Sequence, residues 1–379
     1  MILHLLDDSM FANGAYDFFE EYYQGLNHFF IQISRREKML EGKKNQKARF
    51  FYKVFTRKED INFIIKYARN NGIKHILVHN LSPTKAALGN WLKKQLGAKT
   101  YWIFYGADLY GRLNALGKYN LYDEVDDKQK KEKSDLKSIL AFWYLFMEYP
   151  NNAYNRFIKE LDFFCFWNEY DYFLLKAHFN TAAVHKPFLY YQLIDLNHKG
   201  VVFEKKASKV LINHCASVNG NHKTILKKLE GLKDSAQIAE IIAPLSYGSE
   251  DIKLAVSEFG KSLFGNRFIP IKNILPMGEY YKLLDEIPVA IFGNRRQEAG
   301  ANVFYLLGKG SKVFFRNDNN MIKWLRDRGF RVFSFEDELN SIDDLKSLSI
   351  EDMHHNIKIH EELFSKDRER KDMQRLMQE

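Results

Sequence analysis

Ile287-Pro288-Val289-Ala290-Ile291-Phe292, Arg296-Gln297-Glu298-Ala299-Gly300-Ala301-Asn302 and Lys312-Val313-Phe314-Phe315 form the stretch that decides the fold. The first and last pieces are short apolar runs with the composition of buried strands, and Val303 to Leu307 between them reads as a helix. A strand, a loop, a helix and a strand make one unit of a parallel sheet. Such sheets bind ligands at the carboxyl ends of their strands. A helix entered through small residues leaves backbone N–H groups free to meet an anion there. Arg295 and Arg296 would add a forked cation beside that loop, suited to a diphosphate. The same spacing also fits an ordinary βα loop with solvated charges.

A second loop of this kind, Gly106-Ala107-Asp108-Leu109-Tyr110, follows the aromatic run Tyr101-Trp102-Ile103-Phe104 in the other half of the chain. One strand-end loop per half predicts two α/β domains with a cleft between them. The rest of the chain keeps the same alternation. In the first half, strands are expected at Ile2 to Leu6, Phe29 to Ser34, Phe50 to Phe55, Ile76 to His79, Tyr101 to Phe104 and Phe163 to Trp167. Helices are expected at Lys58 to Asn70, stopped by Asn71-Gly72, and at Pro83 to Leu96, stopped by Gly97. In the second half, strands are expected at Val210 to Asn213, Ile238 to Ala243, Arg267 to Ile271 and Arg331 to Phe333. Helices are expected there near Lys223 to Leu232, Asp251 to Phe264 and Met277 to Leu284. The expected division is a domain over 1–186, a linker over 187–208, a second domain over 209–335 and charged helices over 336–379.

At 379 residues with 46% hydrophobic content, the chain can fill two cores. Aromatic content of 15%, with 31 Phe and 21 Tyr, fits Phe-rich cores, with some aromatic surface left for a partner, sugar or lipid. Two cysteines, Cys165 and Cys215, give no disulfide framework and fit a reducing cytoplasm. No signal-peptide pattern opens the sequence, and no run of about 18 apolar residues predicts a membrane-spanning helix. The net charge of +9 favours anionic partners: lipid, nucleic acid or phosphorylated substrates. Lys128, Lys130, Lys131 and Lys133 precede the aromatic run Ile139 to Met147, which fits either a helix lying on an anionic bilayer or a solvated linker before a core helix. Scattered charges and the lack of any nucleic-acid-binding motif set a basic nucleic-acid-binding protein behind the enzyme readings.

Four pieces of this sequence resemble the bacterial TDP-4-acetamido-4,6-dideoxygalactose (Fuc4NAc) transferases, the 4-α-L-fucosyltransferase-like glycosyltransferases. They are Ile2 to Asp7, Gly106 to Tyr110, Asn213 with Ser217-Val218-Asn219-Gly220-Asn221-His222, and Arg296 to Asn302; Pro276 to Tyr281 is similar as well. The resemblance implies a GT-B fold, two Rossmann-like domains facing a central cleft, in which the C-terminal helices 336–379 could cross back to the first domain. It also implies no obligatory metal, no cofactor and a nucleotide-sugar held mainly by the second domain. The acceptor implied is a polyprenyl-diphosphate-linked glycan of surface polysaccharide synthesis, met from the cytoplasmic face of the membrane. One departure stands out: the family often has Gln-Gln before a Gly, where this chain has Gln297-Glu298-Ala299. It leaves the donor base and the role of Glu298 open.

Glycosyl transfer needs a stabilised departing diphosphate and, in an inverting mechanism, a base for the acceptor proton. Asn213, Ser217, Asn219 and Asn221 are candidates for holding the diphosphate, or simply for capping the next helix. Tyr247 or Tyr280 would stack on a pyrimidine, Glu298 would accept from a ribose hydroxyl, and Arg296, Gln297, Gly300 and Asn302 complete the expected donor site. Asp108 is the first candidate for the base, with Asp7 and Asp8 as alternatives; an Asx turn or helix cap also accounts for Asp108. No Asp-x-Asp motif or His/Cys ligand spacing predicts a metal. An epimerase or phosphorylase would use the same cleft.

Overall fold

A computed structural model of the chain describes residues 1–33, 49–123, 153–190 and 209–378. The lysine cluster at 128–133, the aromatic run at 139–147 and most of the expected linker lie outside the described residues. These fall into two compact units: residues 1–115, 153–190 and 369–378, and residues 116–123 and 209–368.

The first unit carries a seven-stranded sheet of β1 (Ile2–Asp7), β2 (Asn27–Gln32), β3 (Phe50–Lys53), β4 (His75–His79), β5 (Lys99–Ile103), β6 (Phe163–Cys165) and β7 (Val184–Lys186). The second carries six strands: β8 (Lys209–Ile212), β9 (Glu240–Pro244), β10 (Phe268–Ile271), β11 (Val289–Phe292), β12 (Lys312–Phe315) and β13 (Phe333–Ser334). Every pairing in both sheets is parallel. The orders are β3-β2-β1-β4-β5-β6-β7 and β10-β9-β8-β11-β12-β13. Each sheet therefore starts at its centre, winds outward to one edge, and then returns across its first strand to build the other side. Loops leaving the two strands at that reversal diverge, opening a crevice at their carboxyl ends.

Strands buried on both faces read as continuous apolar runs because helices cover both sides. Leu3, Leu5, Phe29, Phe30, Leu77, Val78, Val210, Leu211, Ile291 and Phe314 are all fully or nearly fully buried. The helix Pro83–Leu96 shows why its limits were legible: Ser82 caps Lys85 N–H, Pro83 opens the first turn, and Gly97 ends it at φ 64°. Most large aromatics went to the core; Trp102, Tyr101, Tyr110, Phe18 and Phe19 are fully buried. The C-terminal helix Lys366–Leu376 gives Met373 and Leu376 to the first unit, where Tyr22 hydroxyl donates to Glu369 and Tyr23 hydroxyl to the Met373 carbonyl. No helix among the described residues is long and apolar enough to cross a membrane.

A polar chain threads the first core. Asn27 Nδ2 donates to the carbonyls of Phe19 (3.1 Å) and Tyr23 (2.7 Å), so its Oδ1 accepts from His4 Nε2 at 3.1 Å. That leaves His4 Nδ1 as the acceptor for His79 Nε2 at 3.0 Å, and His79 Nδ1 as the acceptor for Tyr190 hydroxyl at 2.5 Å. One tautomer of each ring satisfies every contact, and both rings must be neutral. Burial pushes His4 down to about 3 and His79 well below its ordinary value; burial likewise takes His222 in the second unit down to about 3. A histidine with a depressed folded value binds its proton more readily when unfolded, so its contribution is complete above the unfolded value near 6.5 and is lost as pH falls toward the folded value. Stability measured by urea unfolding should fall between pH 6.5 and pH 4 by up to about 1.4 kcal/mol per pH unit for each such ring. A flat profile over that range would show that these rings are solvated.

Candidate functional site

The second sheet reverses between β8 and β11, and Asn213 sits at that point in the left-handed region, at φ 54°. Its backbone N–H continues the ladder to the Ile291 carbonyl (2.9 Å). Its side chain donates to the Gly220 carbonyl and accepts from Gly293 N–H, each at 2.9 Å. Asn221, buried and also left-handed at φ 47°, donates to the Gly293 carbonyl at 3.0 Å. The two loops run so close that a Cβ on Gly293 would lie 2.4 Å from the Gly220 carbonyl oxygen. Ser217 Oγ accepts from Asn219 N–H (3.2 Å) and caps the short turn that leads into the helix His222–Glu230.

From β11 the chain passes Gly293, Asn294, Arg295, Arg296, Gln297 and Glu298, then enters the helix Gly300–Gly308 through Ala299 at φ 60°. Glu298 pairs with Arg296 (3.1 Å) and accepts from Asn294 Nδ2 (2.8 Å). Asn319 braces this loop by donating to the carbonyls of Asn294 (2.9 Å) and Arg296 (2.8 Å). Around this loop, buried polar atoms lack a partner: His214 Nδ1, Asn219 Oδ1, Asn294 Oδ1, Arg296 Nε and Gln297 Nε2. Such groups are costly to leave unpaired in a core, and their concentration at one strand edge marks where a polar ligand would complete them.

The structure thus gathers Asn213, Ser217, Asn219, Asn221, Arg296, Gln297 and Glu298 at one edge of the second sheet. Tyr247 is 53% exposed and edge-on to His214, with ring centroids 5.9 Å apart. Cys215, Tyr280 and Glu298 all lie within electrostatic reach of its hydroxyl. Asn302 donates to the Tyr280 hydroxyl at 2.9 Å, which ties the helix starting at Gly300 to the helix Met277–Asp285. The Arg295–Arg296 fork expected from sequence does not form: Arg296 serves Glu298, whereas Arg295 turns to Asp123 and Asp318. His222 is buried and neutral, so it supplies no cation to an anionic ligand. His214, Cys215 and Glu298 bring ligand-type atoms within 4.8 Å of one another, a grouping that sequence spacing did not reveal. Arg296 already supplies positive charge to Glu298 there, and burial, with Glu298 second, pushes the Cys215 thiol up to about 12.

The first sheet reverses between β1 and β4, and its carboxyl edge holds Asp7 and Asn80. Lys85, whose side chain is fully buried, bonds Asp7 Oδ2 (2.7 Å) and the His79 carbonyl (2.6 Å). Asn80 also donates to Asp7 (3.1 Å), yet the Asp7 side chain stays 38% exposed. Asp108 is used differently. It accepts from Leu81 N–H (2.9 Å), Trp102 Nε1 (2.6 Å) and Tyr105 N–H (3.4 Å), stitching the loops after β4 and β5 together. Burial, outweighing these bonds, raises its acid above the ordinary carboxylate range. Asp8 is exposed. Sequence reasoning missed Lys85, Asn294, Asp123 and Arg316. Only Asn294, next to Gly293 at a strand end, carried a local signal.

No protein-family model matches the chain, and no curated protein sequence matches it. Among solved structures, a trehalose-phosphate synthase (UDP-forming) from Burkholderia vietnamiensis superposes with a TM-score of 0.59 at 8% identity, covering 99% of this chain and 98% of its own. Anabaena HepE in complex with UDP gives 0.59 at 9% identity, with 96% of each chain covered. A sucrose-phosphate synthase from Thermosynechococcus elongatus gives 0.56 at 10%, covering 99% of this chain and 94% of that one. The chain has the GT-B fold, with two Rossmann-like α/β domains.

Removing one member of a buried ion pair strands the other, at a cost of about 3–5 kcal/mol, while replacing both by neutral groups is far milder. Asp7→Asn should therefore lower unfolding stability by that amount, and Lys85→Met added to it should recover most of the loss. Equal stability of the single and double variants would show that Lys85 carries no buried charge.

Proposed function

We propose that this chain is a glycosyltransferase that takes a sugar from a nucleoside diphosphate donor. The observation that carries this reading is the set of unpartnered buried polar atoms at the reversal of the second sheet, His214 Nδ1, Asn219 Oδ1, Asn294 Oδ1, Arg296 Nε and Gln297 Nε2. A diphosphate and a ribose together present the donors and acceptors that such a set lacks. The N-terminus of the helix Gly300–Gly308 and the Asn213–Asn221 loop are assigned to the departing diphosphate, whose growing charge their N–H groups and amides would meet. Glu298, already oriented by Arg296 and Asn294, is assigned to a ribose hydroxyl, and Tyr247 or Tyr280 to the base. Gln297 and Asn302 complete the donor site. One of the GT-B structures that superpose on the chain, Anabaena HepE, is a complex with UDP.

The first unit is assigned the acceptor. Of its three candidate aspartates, Asp7 is the base this reading favours, because its carboxylate is held in place by Lys85 and Asn80 and still reaches solvent. Asp108 then acts as scaffold. The finer reading, carried by the sequence resemblance, is transfer of an N-acetylated deoxyhexose of the Fuc4NAc kind, from a TDP-sugar, to a polyprenyl-diphosphate-linked glycan. The chain would do this as a peripheral protein on the cytoplasmic face of the membrane, drawn there by its positive charge. The chemistry assigned to these residues uses no metal.

Thermal unfolding with a panel of nucleoside diphosphates tests the donor site. A ligand present at a hundred times its Kd adds about 2.7 kcal/mol of stability. UDP or TDP should raise the midpoint of the wild type, with the preferred base giving the larger rise, and Arg296→Ala should abolish most of it. No shift with any nucleotide at millimolar concentration would sink the reading.

A further inference from the structure

Leaving the first unit at Ala115, the chain lays residues 116–123 on the strand ends of the second unit. Leu121 is buried, and its carbonyl accepts from Asn221 Nδ2 at 3.3 Å. Tyr119 hydroxyl donates to the Arg295 carbonyl at 2.5 Å. Asp123 N–H donates to Asn221 Oδ1 at 3.0 Å, which fixes where its side chain emerges. That carboxylate is divided between two arginines. Oδ1 accepts from Arg295 Nε (3.0 Å) and NH2 (2.6 Å), and Oδ2 accepts from Arg316 NH1 (2.7 Å). Thr224, in the first turn of the helix His222–Glu230, also bonds it. The Asp123 side chain is only 10% exposed and that of Arg316 8%.

These partners, two guanidiniums and a hydroxyl from the first turn of a helix, are those a phosphate uses. The Nε/NH2 edge of Arg295, the edge whose paired donors match a phosphate, faces Asp123. Asp318 holds the far side of Arg295 and Glu336 the far side of Arg316. With Asp123 in place the cluster therefore carries three carboxylates against two arginines, one negative charge in excess. Once Asp123 leaves, the cluster is neutral, and each arginine keeps donors turned toward the vacated space.

We propose that Arg295 and Arg316 form a binding fork for a diphosphate group, and that Asp123 is the chain's own occupant of that fork, displaced when the diphosphate enters. The segment 116–123 then acts as a strap whose release is linked to ligand entry: whatever favours the strap weakens the ligand by the same factor. The proposal goes beyond the donor reading, because the fork lies apart from the Arg296–Glu298 pair and would accept a diphosphate from a nucleotide or from an isoprenoid lipid.

Asp123→Asn keeps the shape and the backbone bond while removing the charge; Asp123→Ser serves as a second variant, and near-ultraviolet circular dichroism checks that both fold. Titration calorimetry with inorganic pyrophosphate, UDP, TDP and farnesyl diphosphate should show pyrophosphate binding at least about tenfold tighter to either variant than to wild type. That is the gain expected when one charge-assisted hydrogen bond no longer has to be given up. Arg316→Gln in the Asp123→Asn background should remove the gain. A matching gain for UDP or TDP assigns the fork to the nucleotide, and a gain for farnesyl diphosphate without one for nucleotides assigns it to a lipid diphosphate. Unchanged or weaker pyrophosphate binding by the folded variants overturns the proposal and leaves Asp123 a structural clasp. If nucleotides bind no form of the protein while pyrophosphate still tightens, the donor reading fails and the fork stands.

Discussion

The side chain of Asn213 joins two loops that the strand order drives apart, and the second unit's carboxyl edge is built around that join. Reversal of the winding between β8 and β11 sends one loop each way and opens a crevice. An amide that donates to Gly220 and accepts from Gly293 holds the crevice floor at fixed width. Everything above it inherits this geometry: Asn221 is anchored to Gly293, Asn294 is aimed at Glu298, and Asn319 ties the Arg296 backbone to the end of β12. The close approach of the two backbones leaves Gly293 no room for a Cβ, while Gly220 has none because the His222 ring and the Asn213 amide crowd it.

The two carboxyl edges treat polar groups in opposite ways. In the first unit the polar groups named near the reversal have partners: Lys85 with Asp7, Asp108 with three donors, His79 with His4 and Tyr190. Hydrogen bonds and the Lys85 pair fix where its carboxylates point. The second unit concentrates unpartnered polar atoms on its edge, in groups that are oriented but not satisfied. A surface prepared for a polar ligand has this character, because the orientation cost is met on folding and the pairing energy is kept for the ligand. The difference supports giving the donor to the second unit.

Sequence patterning located the sheets because buried parallel strands leave long apolar runs, and it located helices wherever a cap made the ends explicit. The helices Lys58–Asn70 and Pro83–Leu96 fall where their stop signals put them, and Lys312–Phe315 is a strand from end to end. β7 escaped because it is three residues long, flanks one strand only and exposes Val184. The expected strand at Arg331 to Phe333 slid to Phe333–Ser334, which pairs with Phe314 and Phe315 at the end of β12. The loop residues of the second edge were legible because amides and small residues cluster after apolar runs. Lys85 was not, since a lysine in the first turn of a helix reads as solvated, and its burial depends on pairing with Asp7, 78 residues away in sequence. Asp123 was invisible for the same reason: it lies 172 residues from Arg295 and 193 from Arg316, inside a run of charges that looks like linker.

Each unit is finished by a piece of chain that belongs, by sequence, to the other half. Residues 116–123 are synthesised before the second sheet on which they come to lie, and residues 369–378 return to cover the first. On the ribosome the first sheet can pair its strands early, but the place of Met373 and Leu376 stays unfilled until residues 369–378 have emerged. Until then the nascent first unit carries an uncovered apolar patch beside Tyr22 and Tyr23. For the same reason a cut between the halves does not yield two domains: each fragment would lack a part that the other carries.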